Sequence, residues 1–553
     1  MKTNFSQSRL LLIALVCFVF GAFTAHYWTL RDITRSDVLA AGNIAGLEFS
    51  TSEADSMLEG LQGLRKTYED MRAIPLPNEV LPSLVFNPLP PGFQIPPSRG
   101  PVRFADPGFV KMPANKTDLA WYSVPELGEL LRTRQITSVE LTRFFLDRLR
   151  QYDKELHCVI TYTEERALQH ARQADAEIQA GHYRGPLHGI PYGAKDLLAV
   201  AGYPTTWGAM PYKDQQLDID AEVIRKLDAA GAVLVAKLSM GALAWGDVWF
   251  RGMTRNPWDT LRGSSGSSAG SAAAVSAGLV PFAIGTETLG SIVSPSTVCG
   301  TTGLRPTFGR VSRSGAMALS WTMDKIGPIT RSAEDCAIVF NAIQGPDSMD
   351  PALIAAPFDY NAYRDLKSLR VGFVKNAFEG NYPFKKADSL ALETLKKMGI
   401  DLIPIELPQI PDLTFLLSVE GAAAFDEMTR SNKDDLLVRQ VRNAWPNVFR
   451  QSRLVPAVEY LQANRIRTQV IAHMQQIMQK VDVYVAPSWA SPSLRITNLT
   501  GHPAVVVPNG FRDGRPTSIT FTGQLFGEAD ILRLAKAFQD ASDFHQQHPG
   551  WLQ

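Results

Sequence analysis

Residues 262–300 read RGSSGSSAGSAAAVSAGLVPFAIGTETLGSIVSPSTVCG, and this stretch carries most of the information on fold and chemistry. Serine, glycine, alanine and threonine dominate it, so backbone can approach backbone or a ligand closely, and hydroxyl and amide groups are the main polar groups. A flexible linker would share this composition. Residues 269–277 nevertheless predict a helix that ends at Gly278, and residues 279–284 are apolar enough to be buried. We therefore expect a folded core segment.

Helices and apolar strands alternate outside this stretch. Two capping boxes, Ser123 with Glu126 and Thr137 with Glu140, predict helix starts. A further helix is predicted over residues 220–230, and short apolar runs typical of buried strands lie at residues 232–236, 369–374, 481–486 and 504–507. This alternation predicts an α/β fold in which helices cover both faces of a large mixed or parallel β-sheet.

Two known patterns for a nucleophilic serine bear on this sequence. Residues 266–270, GSSAG, fit the GxSxG pattern and would make Ser268 the nucleophile of an α/β-hydrolase. That pattern must follow a buried strand, which residues 255–259, RNPWD, do not resemble. The second pattern, a serine followed by a lysine three residues later, is absent from the sequence. These patterns alone leave the nucleophile open.

A lysine closes the small, turn-rich apolar segment 189–196, GIPYGAKD. Lysine is usually a solvated surface charge. In an apolar pocket, however, it can lose its charge near neutral pH and serve as a base. Lys195 is therefore a candidate base, provided that the neighbouring Asp196 points away and braces the turn.

Several segments together resemble the amidase signature hydrolases, in the order and spacing of that family. They are GIPYGAKD (189–196), DAEVIRKLDAAGAVLVAKLSM (220–240), TRNPWD (254–259), GSSAGSAAAVSAG (266–278), GTETLGSI (285–292), CGTTGLRPTFGRVSRSG (299–315) and GHPAVVVP (501–508). The resemblance covers about residues 120–545. It implies the amidase-signature fold, with an N-terminal extension added here.

The resemblance also implies a Ser-cisSer-Lys triad. Ser291 takes the nucleophile position, Ser267 the bridging position next to a cis peptide, and Lys195 the position of the base. The backbone N–H groups of Thr288, Leu289 and Gly290 are implied as the oxyanion hole.

The sequence departs from the family at a few positions. Ser265 and Ala269 replace two glycines of the usual GGSSGG loop, and Leu289 stands where Gly or Asp is common, so it should narrow the site or make it more apolar. Ser268 is expected to support its neighbour in the first serine loop. Glu287 is interpreted as bracing the nucleophile loop, the alternative being a simple surface acid.

Composition excludes several classes. With 55 basic and 55 acidic residues among 553, the chain has no basic surface for nucleic acid. Three cysteines outside the N-terminal run have no CxxC spacing, which argues against a disulfide scaffold or a zinc ribbon. His545 and His548 are expected to be solvated residues of the C-terminal tail. We predict no metal and no cofactor.

The N-terminus predicts export. Lys2 and Arg9 precede an apolar run, residues 10–25, so residues 1–30 are expected to be a signal peptide or, alternatively, a membrane anchor, with residues 10–30 as a tether. The protein would then be periplasmic or membrane-anchored, facing outside the cytoplasm. We expect residues 31–120 to form an extension and residues 121–553 the catalytic domain.

Within the extension, Ser52 and Asp55 predict the capping box of an amphipathic helix. Eleven prolines in residues 75–113 predict an extended arm lying along a globular body.

The predicted function is hydrolysis of a small-molecule carboxamide, or an ester, through an acyl-enzyme on Ser291. Two other classes stay open: a glutaminase subunit of the tRNA-dependent amidotransferase, and a binding protein without catalytic activity. A homodimer is also an alternative. We expect Trp207, Met210 and residues from the 347–479 region to line the substrate pocket.

Overall fold

The computed structural model describes residues 32–552. It divides into a small N-terminal unit that ends at Pro77 and a large unit that begins at Asn78. The predicted signal peptide or anchor, residues 1–30, lies outside the described residues. Among those described, no helix has the length and apolar character that a membrane crossing requires.

The small unit contains two packed helices, α1 (Arg35–Ala45) and α2 (Thr51–Arg72). The predicted capping box of α2 is wrong by two residues. Ser50 caps the helix by accepting from the N–H of Glu53, whose carboxylate accepts from the N–H of Ser50. Ser52 lies inside the helix, and Asp55 instead forms an ion pair of 2.6 Å with Arg35.

One large mixed sheet organises the second unit. Its eleven strands are β1 (Val159–Tyr162), β2 (Pro191–Lys195), β3 (Val233–Leu238), β8 (Phe282–Glu287), β9 (Thr302–Arg305), β10 (Lys325–Thr330), β11 (Val371–Val374), β12 (Leu402–Ile405), β13 (Val483–Pro487), β14 (Ala504–Arg512) and β15 (Arg515–Gly523). They lie in the order β1-β3-β2-β8-β10-β9-β14-β15-β13-β11-β12, with parallel pairs at β3-β2-β8 and at β13-β11-β12 and antiparallel pairs elsewhere. Two short hairpins lie outside the sheet: β4 (Val248–Trp249) with β5 (Gly252–Met253), and β6 (Arg255–Asn256) with β7 (Asp259–Gly263).

Helices connect these strands. They are α3 (Val124–Arg132), α4 (Ser138–Leu156), α5 (Glu164–Gln179), α6 (Glu222–Ala229), α7 (Ala269–Ser276), α8 (Val293–Cys299), α9 (Ala333–Ile343), α10 (Lys375–Glu379), α11 (Lys385–Lys397), α12 (Phe415–Ala424), α13 (Asp426–Arg430), α14 (Trp445–Ser452), α15 (Ala457–Met478), α16 (Ser493–Thr500) and α17 (Glu528–Asp540).

Both faces of the sheet are covered, as the sequence predicts. Successive side chains of a strand point to opposite faces. In β3, Leu234 belongs to one apolar cluster, whereas Val233 and Val235 belong to another. Helix α9 contributes to the first cluster and the alanine-rich α7 to the second. The predicted α/β fold, a large mixed sheet with helices on both faces, is thereby confirmed.

Local predictions hold well within this unit. The capping boxes of α3 and α4 are those predicted from Ser123 and Thr137. The helix predicted over residues 269–277 is α7, and the apolar runs become β3, β11, β13 and β14 with ends displaced by a few residues. Strand ends depend on the partner strand, which sequence patterns do not specify.

The proline-rich arm of the large unit follows the surface of the sheet domain, as expected. Arg103 donates its N–H to the carbonyl of Tyr360 at 2.7 Å and accepts from the N–H of Ala362 at 2.9 Å. Phe86 packs edge-on against Phe308, with 5.1 Å between ring centroids. Proline limits the N–H donors of such a segment, so isolated contacts of this kind replace a regular strand.

Candidate active site

Lys195 is the last residue of β2, which lies between the parallel strands β3 and β8. Its side chain is fully buried. The segment GAK supplies small neighbours, so the strand brings the lysine into the interior without bulky side chains beside it. The ammonium or amine group therefore depends on its hydrogen-bond partners alone.

The three shortest of those hydrogen bonds go to hydroxyl groups, and a longer one of 3.5 Å goes to the Thr286 carbonyl. The Nζ atom of Lys195 donates to the Oγ atom of Ser267 at 2.8 Å, to Thr286 Oγ1 at 2.8 Å and to Ser268 Oγ at 3.2 Å. No carboxylate forms an ion pair with Lys195 among residues 32–552. The contact between Lys195 and Ser267 is the one that the amidase resemblance implies.

Burial determines the charge of this lysine. Removal from water disfavours the ammonium form and lowers the pKa of Lys195 to about 7, against the opposing negative charges of Asp324 and Glu287. A substantial fraction of Lys195 is therefore neutral at neutral pH. A neutral amine is able to accept a proton from a hydroxyl group.

Ser291 follows β8 in a sharp turn. Gly290 has a φ of +86°, a conformation that residues with side chains rarely adopt, and this directs the chain back into α8. The Ser291 carbonyl accepts from the N–H of Ser268 at 3.2 Å. The turn that carries Ser291 is thus joined directly to the loop that carries Ser267 and Ser268, and the Gly266–Ser267 peptide bond in that loop is cis.

The two competing serines differ in their surroundings. Ser268 is fully buried, and its hydroxyl donates to the carbonyl of Thr286 and accepts from its N–H, both at 3.1 Å. Ser291 retains 8% of its exposure. The preceding residues 255–263 form two short strands, and these make an isolated, partly exposed hairpin outside the main sheet, in agreement with the expectation that no buried strand lies here. The buried strand that GxSxG needs is not there, so the geometry disfavours Ser268 as nucleophile.

Glu287 is a buried brace of the turn that carries Ser291 and not a surface acid. It is fully buried, and one carboxylate oxygen accepts from the N–H groups of Ile292 and Val293 at 2.9 and 3.0 Å. The other accepts from Arg305 and Asn498, each at 2.8 Å. Although burial raises the pKa of Glu287, the charge of Arg305 and these hydrogen bonds lower it to about 2. The carboxylate therefore stays ionised and holds the residues after Ser291.

Asp196 points away from Lys195, as expected. Its carboxylate accepts from the N–H of Thr206 at 2.8 Å and forms a fully buried ion pair of 2.9 Å with Lys237. The carboxylate of Asp196 thus pairs with Lys237 and not with Lys195. Lys195 keeps no countercharge at hydrogen-bond distance within the described chain.

The turn of Thr288, Leu289 and Gly290 has a support that the sequence did not suggest. Thr288 Oγ1 donates to a carboxylate oxygen of Asp324 at 2.5 Å, and the other oxygen of Asp324 accepts from two backbone N–H groups at 2.8 and 2.9 Å. Leu289 is half-buried against the main apolar cluster. Ser265 has a φ of +58°, so the serine occupies a conformation that the family's glycine would adopt freely.

Two of the residues at this site were missed by sequence reasoning. Thr286 lies inside the quoted GTETLGSI segment, so its position directly after the small Gly285 was an available signal. Asp324 lies outside every quoted motif, in a loop before β10, and no spacing points to it.

A cavity of about 220 Å³ adjoins the site, with Thr286 and Thr288 in its wall. Trp207 and Met210, the predicted lining residues, lie outside it, because Trp207 packs against Tyr212 at 4.5 Å between ring centroids. Met349 from the predicted 347–479 region does contribute. Apolar side chains dominate the wall, namely Leu197, Ile219, Met317, Leu319, Ile326 and Met349.

The groups that most often bind metals are dispersed. Between residues 32 and 552 there is no cluster of three or more His, Cys, Asp or Glu side chains able to hold a metal ion. His548 is exposed but stacks on Trp121 at 4.0 Å between ring centroids, so it is not simply a solvated tail residue.

The chain matches known proteins over most of its length. The family described as Amidase matches residues 140–499. A glutamyl-tRNA(Gln) amidotransferase subunit of Dechloromonas aromatica (strain RCB) is 34% identical over 482 residues, which cover 78% of this chain and 99% of the relative. The same subunit of Roseiflexus castenholzii is 33% identical, with 78% and 98% coverage. These relatives are named as subunits of a larger enzyme.

Solved structures of amidases also resemble this chain. The native peptide amidase from Stenotrophomonas maltophilia superimposes with a TM-score of 0.70 at 28% identity, covering 77% of this chain and 98% of that one. A chain of a vestigial protein complex, described as revealing the evolutionary origins of an s-triazine catabolic enzyme, has a TM-score of 0.69 at 28% identity, with 76% and 98% coverage.

Proposed function

The chain belongs to the amidase signature family, hydrolases of C–N bonds, and on that premise we propose that it cleaves a carboxamide through an acyl-enzyme on Ser291. The observation that supports this most directly is the buried Lys195, which has a lowered pKa and donates a 2.8 Å hydrogen bond to Ser267. A protein that only bound its ligand would not need a lysine in this state, at an energetic cost to its own fold.

In the proposed reaction, protons move along the three side chains. Neutral Lys195 accepts the proton of Ser267, and Ser267 accepts the proton of Ser291 as the Ser291 oxygen attacks the amide carbon. The reverse transfer delivers a proton to the leaving nitrogen as the C–N bond breaks. A water molecule then attacks the ester carbon of the acyl-enzyme and loses its proton along the same path, which releases the acid and restores Ser291.

The turn before Ser291 would stabilise the negative charge on the substrate oxygen. We assign this role to the N–H groups of Thr288, Leu289 and Gly290, donors that need no reorganisation during the reaction. Glu287 holds the chain that follows the turn. It is therefore proposed as a positioning residue, and Ser268 as a support for the lysine.

A second candidate function is the catalytic subunit of an amidotransferase that releases ammonia from glutamine. The names of the two relatives described above, at 33 to 34% identity, favour this candidate over a free-standing amidase. The same proton path would serve a glutamine side-chain amide, so the catalytic residues alone do not distinguish the two candidates. Identification of the substrate distinguishes them.

The test is a substrate panel on the purified full-length protein. Aryl amides, peptide amides, fatty amides and glutamine are offered to the wild type and to Ser291→Ala, with release of ammonia or amine as the readout. Turnover of one amide class by the wild type and none by Ser291→Ala supports the proposal. Turnover that survives in Ser291→Ala rules it out, and turnover of glutamine alone selects the amidotransferase candidate.

We also propose that the protein is exported, from the basic and apolar character of residues 1–30. A reporter enzyme that is active only outside the cytoplasm, fused after residue 40, should be active. The matched fusion that lacks residues 2–30 should be inactive. Equal inactivity of both fusions would contradict export.

A further inference from the structure

We propose that residues 78–81 of the proline-rich arm select the substrate, by closing one wall of the acyl-binding cavity. This inference rests on the proposed function, because it takes the cavity beside Thr286 and Thr288 as the place where the acyl group of the amide lies. Asn78, Glu79 and Leu81 all contribute to the cavity wall. The family match begins at residue 140, so the arm is an addition to the matched region.

One side chain of the arm binds another part of the cavity wall, the loop at Ala318. The Oδ1 atom of Asn78 accepts from the N–H of Ala318 at 2.7 Å, and its Nδ2 donates to the carbonyl of the same residue at 2.9 Å. The Asn78 side chain thus uses its amide oxygen as an acceptor and its amide nitrogen as a donor, and it pairs with the backbone of Ala318 as a neighbouring strand would. Asn78 and Ala318 are 240 positions apart, and Lys195, Ser267 and Ser291 all lie between them in the sequence. The hydrogen bonds of Asn78 therefore hold the start of the arm close to the loop at Ala318, beside the site.

The loop that Asn78 holds is also tied to the turn before Ser291. Leu319 and Ser320, which follow Ala318, donate their N–H groups to Asp324 at 2.8 and 2.9 Å. Asp324 accepts in turn from the hydroxyl of Thr288. Movement of the arm therefore changes the position of the cavity wall, and we infer that Asn78 is a positioning residue.

The chemistry of the wall indicates which acyl groups fit. Leu81 is half-buried and contributes to a lining in which apolar side chains predominate, although charged residues, among them Asp324 and Asp350, also take part. Both basic side chains of this lining are committed elsewhere in the described chain. Arg313 forms a bidentate pair with Asp350 at 2.8 and 2.9 Å and donates to the Trp321 carbonyl, and Lys325 donates to the Met323 carbonyl.

A carboxylate on the acyl group would therefore find no free cation in this lining, as far as the described chain extends, and it would meet the exposed carboxylate of Glu79 at the edge. Burial of an unpaired charge is strongly unfavourable. We infer a substrate class of primary carboxamides with uncharged, mainly apolar acyl groups whose length is limited by Leu81. Glutamine, with its α-carboxylate, is outside this class.

The experiment measures how chain length affects hydrolysis. The full-length wild type, Leu81→Ala and Leu81→Trp are compared on unbranched primary amides from butyramide to octanamide. Leu84→Ala is the matched control, because Leu84 lies on the same arm, is 75% exposed and is outside the cavity lining. Thermal unfolding of each variant verifies that it is folded.

We expect Leu81→Ala to raise kcat/KM for octanamide relative to butyramide by about tenfold and Leu81→Trp to lower it, as a change of a few methylene groups in an apolar pocket should. Leu84→Ala should leave the ratio unchanged. Asn78→Ala should raise KM and lower kcat for every amide, since it releases both the wall and the turn, whereas Asn78→Gln should recover little because its amide lies one methylene further out.

Charge is tested with adipamic acid against hexanamide, where Glu79→Gln should improve the relative rate on the acid by up to about fivefold, as exposed charge pairs allow.

Binding separates this proposal from the proposed function. In the Ser291→Ala background, calorimetry should show the same dependence of Kd on chain length and the same shift with Leu81→Ala, whether or not the wild type hydrolyses the series. A length dependence, in both hydrolysis and binding, that Leu81 substitutions leave unchanged would overturn the arm proposal while leaving the role of Ser291 intact.

Discussion

Replacement of Lys195 by methionine tests the proposed base, because methionine has a similar length and no proton to exchange. Burial lowers the pKa of Lys195 from 10.5 to about 7. That difference corresponds to about 5 kcal/mol of preference for the neutral form in the folded protein. Two measurements follow from it, one on the rate and one on stability.

The rate measurement is the pH dependence of kcat/KM. Because the neutral amine is the active form, kcat/KM of the wild type should rise with pH through about 7 and then level off. Lys195→Met should lose a factor of about 10²–10⁴, the usual contribution of a general base, and the rise should disappear.

The stability measurement has a definite sign. Between pH 7 and pH 10.5 the unfolded chain holds a proton on this lysine that the folded protein has released, so wild-type stability increases with pH in this window. Methionine has no such dependence. The difference in the free energy of unfolding between the two proteins should therefore change by about 3–4 kcal/mol from about pH 7 to about pH 10, in favour of the wild type. The hydrogen bonds that Ser267 and Thr286 lose in Lys195→Met lower the stability by the same amount at pH 7 and at pH 10, so they do not contribute to this change.

Lys237 supplies the control. It is equally buried in the neighbouring strand, where burial lowers its pKa while Asp196 opposes that change. Lys237→Met in the Asp196→Asn background removes a buried lysine without leaving a charge unpaired. This double variant should keep the rise of kcat/KM near pH 7. A Lys195→Met protein that hydrolyses amides at a near-wild-type rate, or a stability difference that is constant with pH, would refute the assignment of the base.

Three further predictions concern the nucleophile and its loop. A fluorophosphonate probe should label Ser291, and peptide mapping that located the label on Ser268 would instead restore the α/β-hydrolase assignment. Glu287→Gln should destabilise the protein by about 3 kcal/mol at about pH 7, measured by denaturant unfolding. Because the pKa of Glu287 in the folded protein is about 2, this loss of stability should shrink as the pH falls from 4.5 towards 2. A loss of the same size at pH 4.5 and at pH 2 would contradict an ionised brace. Thr288→Val should lower kcat several-fold with little change in KM, since the hydrogen bond to Asp324 supports the turn, whereas an unchanged kcat would show that Asp324 does not position it.

Much of the fold could be predicted because its signals are local. The capping boxes at Ser123 and Thr137 need only four residues each to specify a helix start. The alanine-rich α7 and the buried strands follow from the composition of short segments. The error at Ser52 has the same origin, since Ser50 with Glu53 offers an equally good box two residues earlier and local sequence does not rank the two.

The parts that could not be predicted depend on contacts between distant segments. Asp324 reaches Thr288 across 36 residues, and Asn78 reaches Ala318 across 240. Such pairs depend on the conformation of loops. That conformation is determined by the packing of the folded domain, and it produces no periodic pattern in the sequence. Trp207 likewise lies outside the wall of the cavity beside Thr286 and Thr288, because its ring packs against Tyr212 and Phe425, which sequence patterns do not indicate.

The orientation of Asp196 is an intermediate case, in which a local rule predicts a distant pairing. Side chains that follow one another along a strand point to opposite faces, so Lys195 and Asp196 cannot easily meet although they are adjacent. Ala194 lies opposite Lys237 in the parallel pair of β2 and β3, and Asp196 is two residues further on, hence on the same face. Lys237 therefore receives the carboxylate, and Lys195 faces the serines without one. The alternation of side chains at the end of β2 thus gives two buried lysines different partners: Lys237 pairs with a carboxylate, whereas Lys195, with a pKa of about 7, contacts hydroxyl groups and is suited to proton transfer.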